Sequence, residues 1–208
     1  MTKAGLAAAL VAALWLAAAP QAAAQTPEAV PPAPEAVPQT PPTAGGKAAA
    51  DAKLDQLMAE LAQPGRKDWE RVQAQITRIW SHSGSPSMDL LLSRGNEALA
   101  AENYPLAVEH FSALIDHAPD FAEGWNGRAT AYFMMGEYSL SITDVEHVLV
   151  LNPRHFGALA GLGFMLEELD EPRLALRAFE QAQKLNPNQP NVNDAVSRLG
   201  KMTGDAEL

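Results

Sequence analysis

No cysteine occurs among the 208 residues. Its absence excludes a disulfide framework, a thiolate metal site, a cysteine nucleophile and a lipid-modified N-terminal cysteine. Basic residues are also scarce: fifteen Lys and Arg stand against twenty-five Asp and Glu, for a formal net charge of -10. Almost all of that charge lies after residue 46, where fourteen basic residues face twenty-three acidic ones. Such a surface repels phosphate backbones and anionic membranes, so nucleic acid is not expected as a partner. Beyond the first 24 residues no apolar run reaches membrane-spanning length.

What is present begins with a leader. Residues 1–24 carry Lys3, an apolar run over 4–19 and the small triplet Ala22-Ala23-Ala24 before Gln25, which reads as a secretory signal peptide cleaved after Ala24. The alternative is an uncleaved anchor with Trp15 as an interfacial aromatic. A bacterial periplasm is the expected location, with no stable membrane insertion after cleavage. Eight of the sixteen prolines fall before Lys47, and residues 25–46 are almost all Pro, Ala, Glu, Gln and Thr, with Gly45-Gly46 as a hinge. That composition predicts a disordered, polyproline-like spacer.

From residue 88 onward the sequence repeats. Pro119, Pro153 and Pro187 stand thirty-four residues apart, and the same step carries Gly95 onto Ala129 and Gly163, Ala107 onto Ser141 and Ala175, and Phe111 onto Val145 and Phe179. Each unit holds two helical patterns, predicted at 88–101 and 104–117, 122–135 and 138–151, and 156–169 and 172–185. A period of this length with two helices per unit marks a helix-turn-helix solenoid. The small residues at 95, 129 and 163 are expected opposite those at 107, 141 and 175, where helix backbones approach closely. The prolines end each second helix.

Residues 47–87 form a divergent helix pair ahead of these units. Leu54, Leu57, Met58 and Leu61 recur at helical spacing, Pro64-Gly65 breaks the chain, and Trp69, Val72, Ile76, Ile79 and Trp80 line the next helix. Gln73 and Thr77 stand where a small and a large residue would continue the repeat. The pair is expected to stack on the first unit as an N-terminal cap, and Ser87 is a candidate N-cap for the helix that follows. After Pro190 a final helix, expected over 192–200, carries Val192, Val196 and Leu199 on one face, suited to close the last unit before a frayed tail to 208.

Trp125, Arg128, Ala129, Tyr132, Ser141, Val145, Val148 and Pro153 resemble the tetratricopeptide repeat pattern. The resemblance implies an all-α, right-handed superhelical solenoid with repeats at 88–121, 122–155 and 156–189 and a capping segment at 190–208. It also implies a non-catalytic protein-interaction module, a scaffold or adaptor binding a peptide or partner protein in the concave groove of the first helices. The alternative is a chaperone-like carrier of apolar or basic client segments. The implied groove positions are Asp89, Leu92, Asn96, Leu99 and Ala100; Glu123, Asn126, Thr130, Phe133 and Met134; and Gly157, Ala160, Phe164, Glu167 and Glu168. Such a groove is apolar in the centre and acidic at its ends, so an apolar ligand with basic residues is expected. Relatives that clamp the acidic C-terminal peptide of heat-shock chaperones use Lys, Asn and Arg there. Here Asn96 matches, but Leu92 replaces a Lys and Gly157 and Gly161 stand where basic residues would be needed.

No catalytic, cofactor or metal constellation is legible. Gly157, Gly161 and Gly163 lie in the wrong order for a dinucleotide loop. Ser83-Gly84-Ser85 has no preceding strand to make a nucleophile elbow, and Glu167-Glu168 are adjacent on a helix and point apart. The five histidines, His82, His110, His117, His147 and His155, lack metal-ligand spacing, and those on the outer faces of the second helices are expected to meet solvent.

Overall fold

The computed structural model describes residues 44–204. The expected leader and nearly all of the proline-rich spacer lie outside the described residues. Those residues form helices and turns with no strand: α1 Ala44–Leu61, α2 Trp69–Trp80, α3 Pro86–Ala100, α4 Tyr104–His117, α5 Ala122–Met134, α6 Tyr138–Leu151, α7 Phe156–Glu168, α8 Pro172–Leu185 and α9 Pro190–Gly204. From α3 to α9 the helix ends agree with the sequence reading within a few residues, because each is set by local chemistry.

The second helix of each unit stops at Ala118, Asn152 or Asn186, whose φ angles are -142°, -139° and -140°. Each precedes a proline, whose ring pushes the preceding residue out of helical backbone. The turns between helices within a unit also recur at the thirty-four-residue step. Glu102, Gly136 and Asp170 adopt left-handed φ angles of 56°, 78° and 59°. In each turn the next residue's N–H reaches back five positions, Asn103 to Ala98, Glu137 to Tyr132 and Glu171 to Leu166, as in a Schellman C-cap. Asn103 then caps α4 by accepting from the Leu106 N–H. Helix α3 starts two residues before expectation: its N-cap is Ser85 rather than Ser87, with Pro86 in the first turn.

Packing follows a size rule between the two helices of a unit. A Cβ on Gly95 would come within 2.4 Å of the Phe111 ring, as would one on Gly127 of the following unit, and one on Gly163 within 2.6 Å of Phe179. The second unit has the smaller Val145 at that place and accordingly Ala129 rather than glycine. Phe111 and Phe179 are fully buried, each worth roughly 1.5–3 kcal/mol of transfer free energy. Ser141 completes the close contact, its hydroxyl donating to the Ala129 carbonyl at 2.6 Å. Helix α9 closes the last unit as expected, with Val192, Ala195 and Leu199 packed on Phe179.

The N-terminal pair does not stack on the first unit. Leu57, Met58, Leu61, Val72 and Ile76 form a cluster of their own that takes in Phe156, with Leu185 against its edge. Both partners belong to the third repeat. The reversal occurs between α2 and α3, where Gly84 has φ 81° and Ser83 donates to Asp89 from its N–H at 2.8 Å and its hydroxyl at 2.6 Å. Helix α1 begins at Ala44, so Gly45-Gly46 is part of its first turn rather than a hinge.

Candidate functional site: a concave face covered by α2

Helices α3, α5 and α7 present the inner face of the solenoid, and α2 lies over its C-terminal half. The docking is polar as well as apolar. Asn188, between α8 and α9, donates to the carbonyls of Leu61 at 3.1 Å and Gln63 at 2.9 Å, satisfying two of the carbonyls a helix end leaves open. Its Oδ1 accepts from the Arg66 N–H at 3.2 Å. Gln73 Oε1 accepts from Asn186 Nδ2 at 2.9 Å and from Gln189 Nε2 at 3.0 Å. Arg154 pairs with Asp55 at 2.7 Å across the outer edge. The Gln73 that departs from the repeat pattern is therefore the residue that seats α2 on the third repeat.

Beneath α2 the inner face carries a buried polar group of residues. His155 is 4 % exposed and stacks on Trp80 with ring centroids 4.6 Å apart. Its Nδ1 accepts from the Ala158 N–H at 2.9 Å, capping α7, which leaves the hydrogen on Nε2 to be donated to Glu123 at 3.1 Å. Glu123 also accepts from Asn126 Nδ2 at 3.1 Å. Glu123 and Asn126, 7 % and 2 % exposed, border a cavity of about 70 Å³. Its other walls are Gln73, Thr77 and Trp80 of α2, Phe156, Gly157, Ala160, Gly161 and Phe164 of α7, and Gln189.

The expected groove residues thus divide. Glu123, Asn126, Gly157, Ala160 and Phe164 line this cavity. Leu92 and Phe133 are buried, and Leu99 and Met134 pack on the repeat cores, so they do not form the open apolar patch expected of the inner face. Stacking of successive first helices takes up these side chains. Asp89 is used in the α2–α3 reversal, where it also pairs with His82 at 3.0 Å. Thr130 donates to the Asn126 carbonyl at 2.9 Å. Glu167 pairs with Arg198 of α9 at 2.7 Å, and that hydrogen bond raises the Arg198 pKa above its usual value. Asn96 and Ala100 are exposed and Glu168 is half-buried.

His155 and Gln189 are the residues that sequence reading missed. His155 stands immediately before a first helix, where a side-chain acceptor caps the helix start. That position was the available signal. His147, by contrast, is exposed as expected, though it stacks on Trp125 at 4.1 Å. On the outer side Arg128 forms a two-pronged pair with buried Asp144, both contacts at 2.8 Å, which raises the Arg128 pKa. Among the described residues no three His, Asp or Glu side chains converge to hold a metal.

No family model matches the sequence. Individual proteins do. Over 155 residues the chain is 36 % identical to a TPR repeat-containing protein of Rhizobium etli, covering 74 % of this chain and 76 % of that one. It is 27 % identical over 133 residues to small glutamine-rich tetratricopeptide repeat-containing protein 2 of Saccharomyces cerevisiae, covering 64 % of this chain but only 38 % of the yeast protein. Among solved structures, the Sgt2 TPR domain from Aspergillus fumigatus superposes with a TM-score of 0.55 at 23 % identity, over 59 % of this chain and 83 % of that domain. The first TPR of Spaghetti (RPAP3), solved with an HSP90 peptide, does so at 0.54 and 20 % identity, over 56 % and 93 %. These likenesses establish the fold of the helix pairs. With the thirty-four-residue step in sequence, turns and packing, and a relative matched over three quarters of its length, the chain belongs to the tetratricopeptide repeat proteins.

Proposed function

We propose that the chain is an exported, non-catalytic interaction module, a scaffold or adaptor that holds a segment of a partner protein against its concave face. The observation that carries this reading is the buried polar group of Glu123, Asn126 and His155 on the inner face, bordering a cavity. Packing of the repeats does not require a carboxylate there, and burying one is costly unless it is used or satisfied. An Aspergillus fumigatus relative described as a heat-shock protein cognate co-chaperone and the Spaghetti domain bound to an HSP90 peptide support a protein or peptide partner. The ligand here differs in sign from an acidic peptide: Leu92, Gly157 and Gly161 supply no cation, Glu123 faces the cavity, and the chain carries a net charge of -10. Basic segments are favoured, and association should slow as salt rises.

The test is a photo-crosslinking residue placed at Asn96 or Thr77 on the inner side, or at Val150 on α6, which is 80 % exposed, in cells that make the full chain. Adducts from Asn96 and Thr77 to a single partner, with none from Val150, are the expected result. A ladder of many clients from the inner positions would indicate a carrier rather than an adaptor. Equal labelling from all three positions would remove the groove reading. Export rests on Lys3, the apolar run and the alanine triplet, and N-terminal sequencing of the mature protein should begin at Gln25. A mature form that keeps Met1 would overturn that part.

A further inference from the structure

The cavity under α2 has a polarity that names its ligand. The side-chain amides around it form a chain whose orientation is set by the backbone. The Asn188 N–H donates to Asn186 Oδ1 at 3.2 Å, so Asn186 must turn its Nδ2 toward Gln73, and Gln73 must present Oε1. Gln189 can then approach Gln73 only with its Nε2. Its Oε1 is left buried and without a partner in a residue 1 % exposed. A buried acceptor in this state lacks about the worth of one hydrogen bond. Glu123, on the same cavity, accepts from an amide and from the Nε2 hydrogen of an imidazole whose Nδ1 is itself an acceptor. Both of these donors are neutral, so they solvate its charge without cancelling it.

The remaining walls include Trp80, Phe156 and Phe164. Aromatic rings attract cations through their π faces. An uncancelled carboxylate, an unused acceptor and aromatic walls together select a compact group that donates hydrogen bonds and carries positive charge. About 70 Å³ suits the end of one unbranched side chain. We infer that this cavity is an anchoring pocket for a primary ammonium group, supplied by a lysine side chain of the bound segment. The inference rests on the groove reading above and names the residue by which the partner is held.

The probe is Nα-acetyl-lysine methylamide, titrated into the full chain while the Trp80 indole and the Gln189 and Asn126 side-chain amide signals are followed by NMR. Nα-acetyl-norleucine methylamide is the neutral control, and methylammonium separates a free amine from a lysine side chain. A saturable shift of these signals with the lysine compound and not with norleucine is expected. Glu123→Gln should weaken it roughly tenfold or more, the scale of a lost charge-assisted hydrogen bond. Gly161→Leu should abolish it, because Gly161 lines the cavity and a Cβ there meets nothing within 4 Å, so a leucine takes up the space with the helix intact. Circular dichroism melts of both variants confirm that they are folded.

Equal shifts with norleucine, no saturable shift, or full binding by Glu123→Gln would overturn the proposal and leave water as the pocket's occupant. A saturable shift with methylammonium but not with the lysine compound would overturn the lysine assignment. If Gly161→Leu still crosslinks its partner at Asn96 as the parent does, the pocket reading fails while the groove reading stands. If the pocket takes lysine but no partner crosslinks from the inner face, the groove reading fails alone.

Discussion

Two glycines one turn-half apart on α7 carry opposite expectations. Gly163 faces the Phe179 ring so closely that even a methyl group intrudes, whereas Gly161 faces open space. Gly163→Ala should therefore destabilise by ~1–3 kcal/mol, as overpacking does. Gly161→Ala should stabilise by up to ~1 kcal/mol through helix propensity. Denaturant unfolding of the two variants checks this, and equal signs would break the size rule between helices. The first glycine was legible from its place in the repeat; the second was legible only as a departure from it. Glu102 makes a third case. It holds a left-handed φ of 56° where the equivalent position in the next repeat is Gly136, and a left-handed conformation costs a side-chain-bearing residue roughly 1–2 kcal/mol. Glu102→Gly should raise stability by part of that, about 1 kcal/mol after the entropy a glycine adds to the unfolded chain. A lower melting temperature would show that the Glu102 side chain contributes more than its backbone costs.

At the scale of elements, helices α3 to α9 were readable because their caps, prolines and apolar spacing act within a few residues. Helices α1 and α2 were readable as helices for the same reason, but their docking was not. The indoles and amides of α2 read as a poor copy of the repeat, and only the structure shows them as a good match to Asn186, Gln189, His155 and Phe156. Gln73→Ala tests this docking. It strands the amide donors of Asn186 and Gln189, and leaving buried donors unmet costs ~1–3 kcal/mol. A double-mutant cycle with Gln189→Ala should give a coupling of at least ~0.5 kcal/mol, the range for residues in one hydrogen-bond network. Strict additivity would mean that α2 does not sit where it is described.

Across the whole molecule, a solenoid ordinarily contacts only its nearest neighbours in sequence, and its stability propagates from unit to unit. Here the N-terminal helices reach past two repeats to the third, by contacts between residues 99 to 127 apart. Native-state hydrogen exchange should therefore protect the amides of Val72 and Ile76 to the same degree as those of Phe179 and Val192, since they open together. If their protection follows Leu92 and Phe111 instead, the pair is a cap on the first repeat after all. The same long closure supplies Gln73, Thr77 and Trp80 as one wall of the cavity, so the candidate site depends on a contact that the repeats alone do not make.

The sequence by itself determined the repeat, its helices and the close approach of the small residues at 95, 129 and 163 to the second helix of each unit, because each of these is governed by residues on one helix or on the next. The resemblance to the family pointed to Glu123, Asn126, Ala160 and Phe164 as groove positions, and these four line the cavity. Only the tertiary structure decided that Leu92 and Phe133 would be buried, that His155 would join Glu123, and that Gln189 would be left with an unused acceptor. The first depends on how successive repeats stack, the other two on where the segments brought together around α2 come to rest. A contact made once, between segments more than a hundred residues apart, leaves no periodic trace in the sequence, and the direction of its amides is set by a single backbone N–H at Asn188.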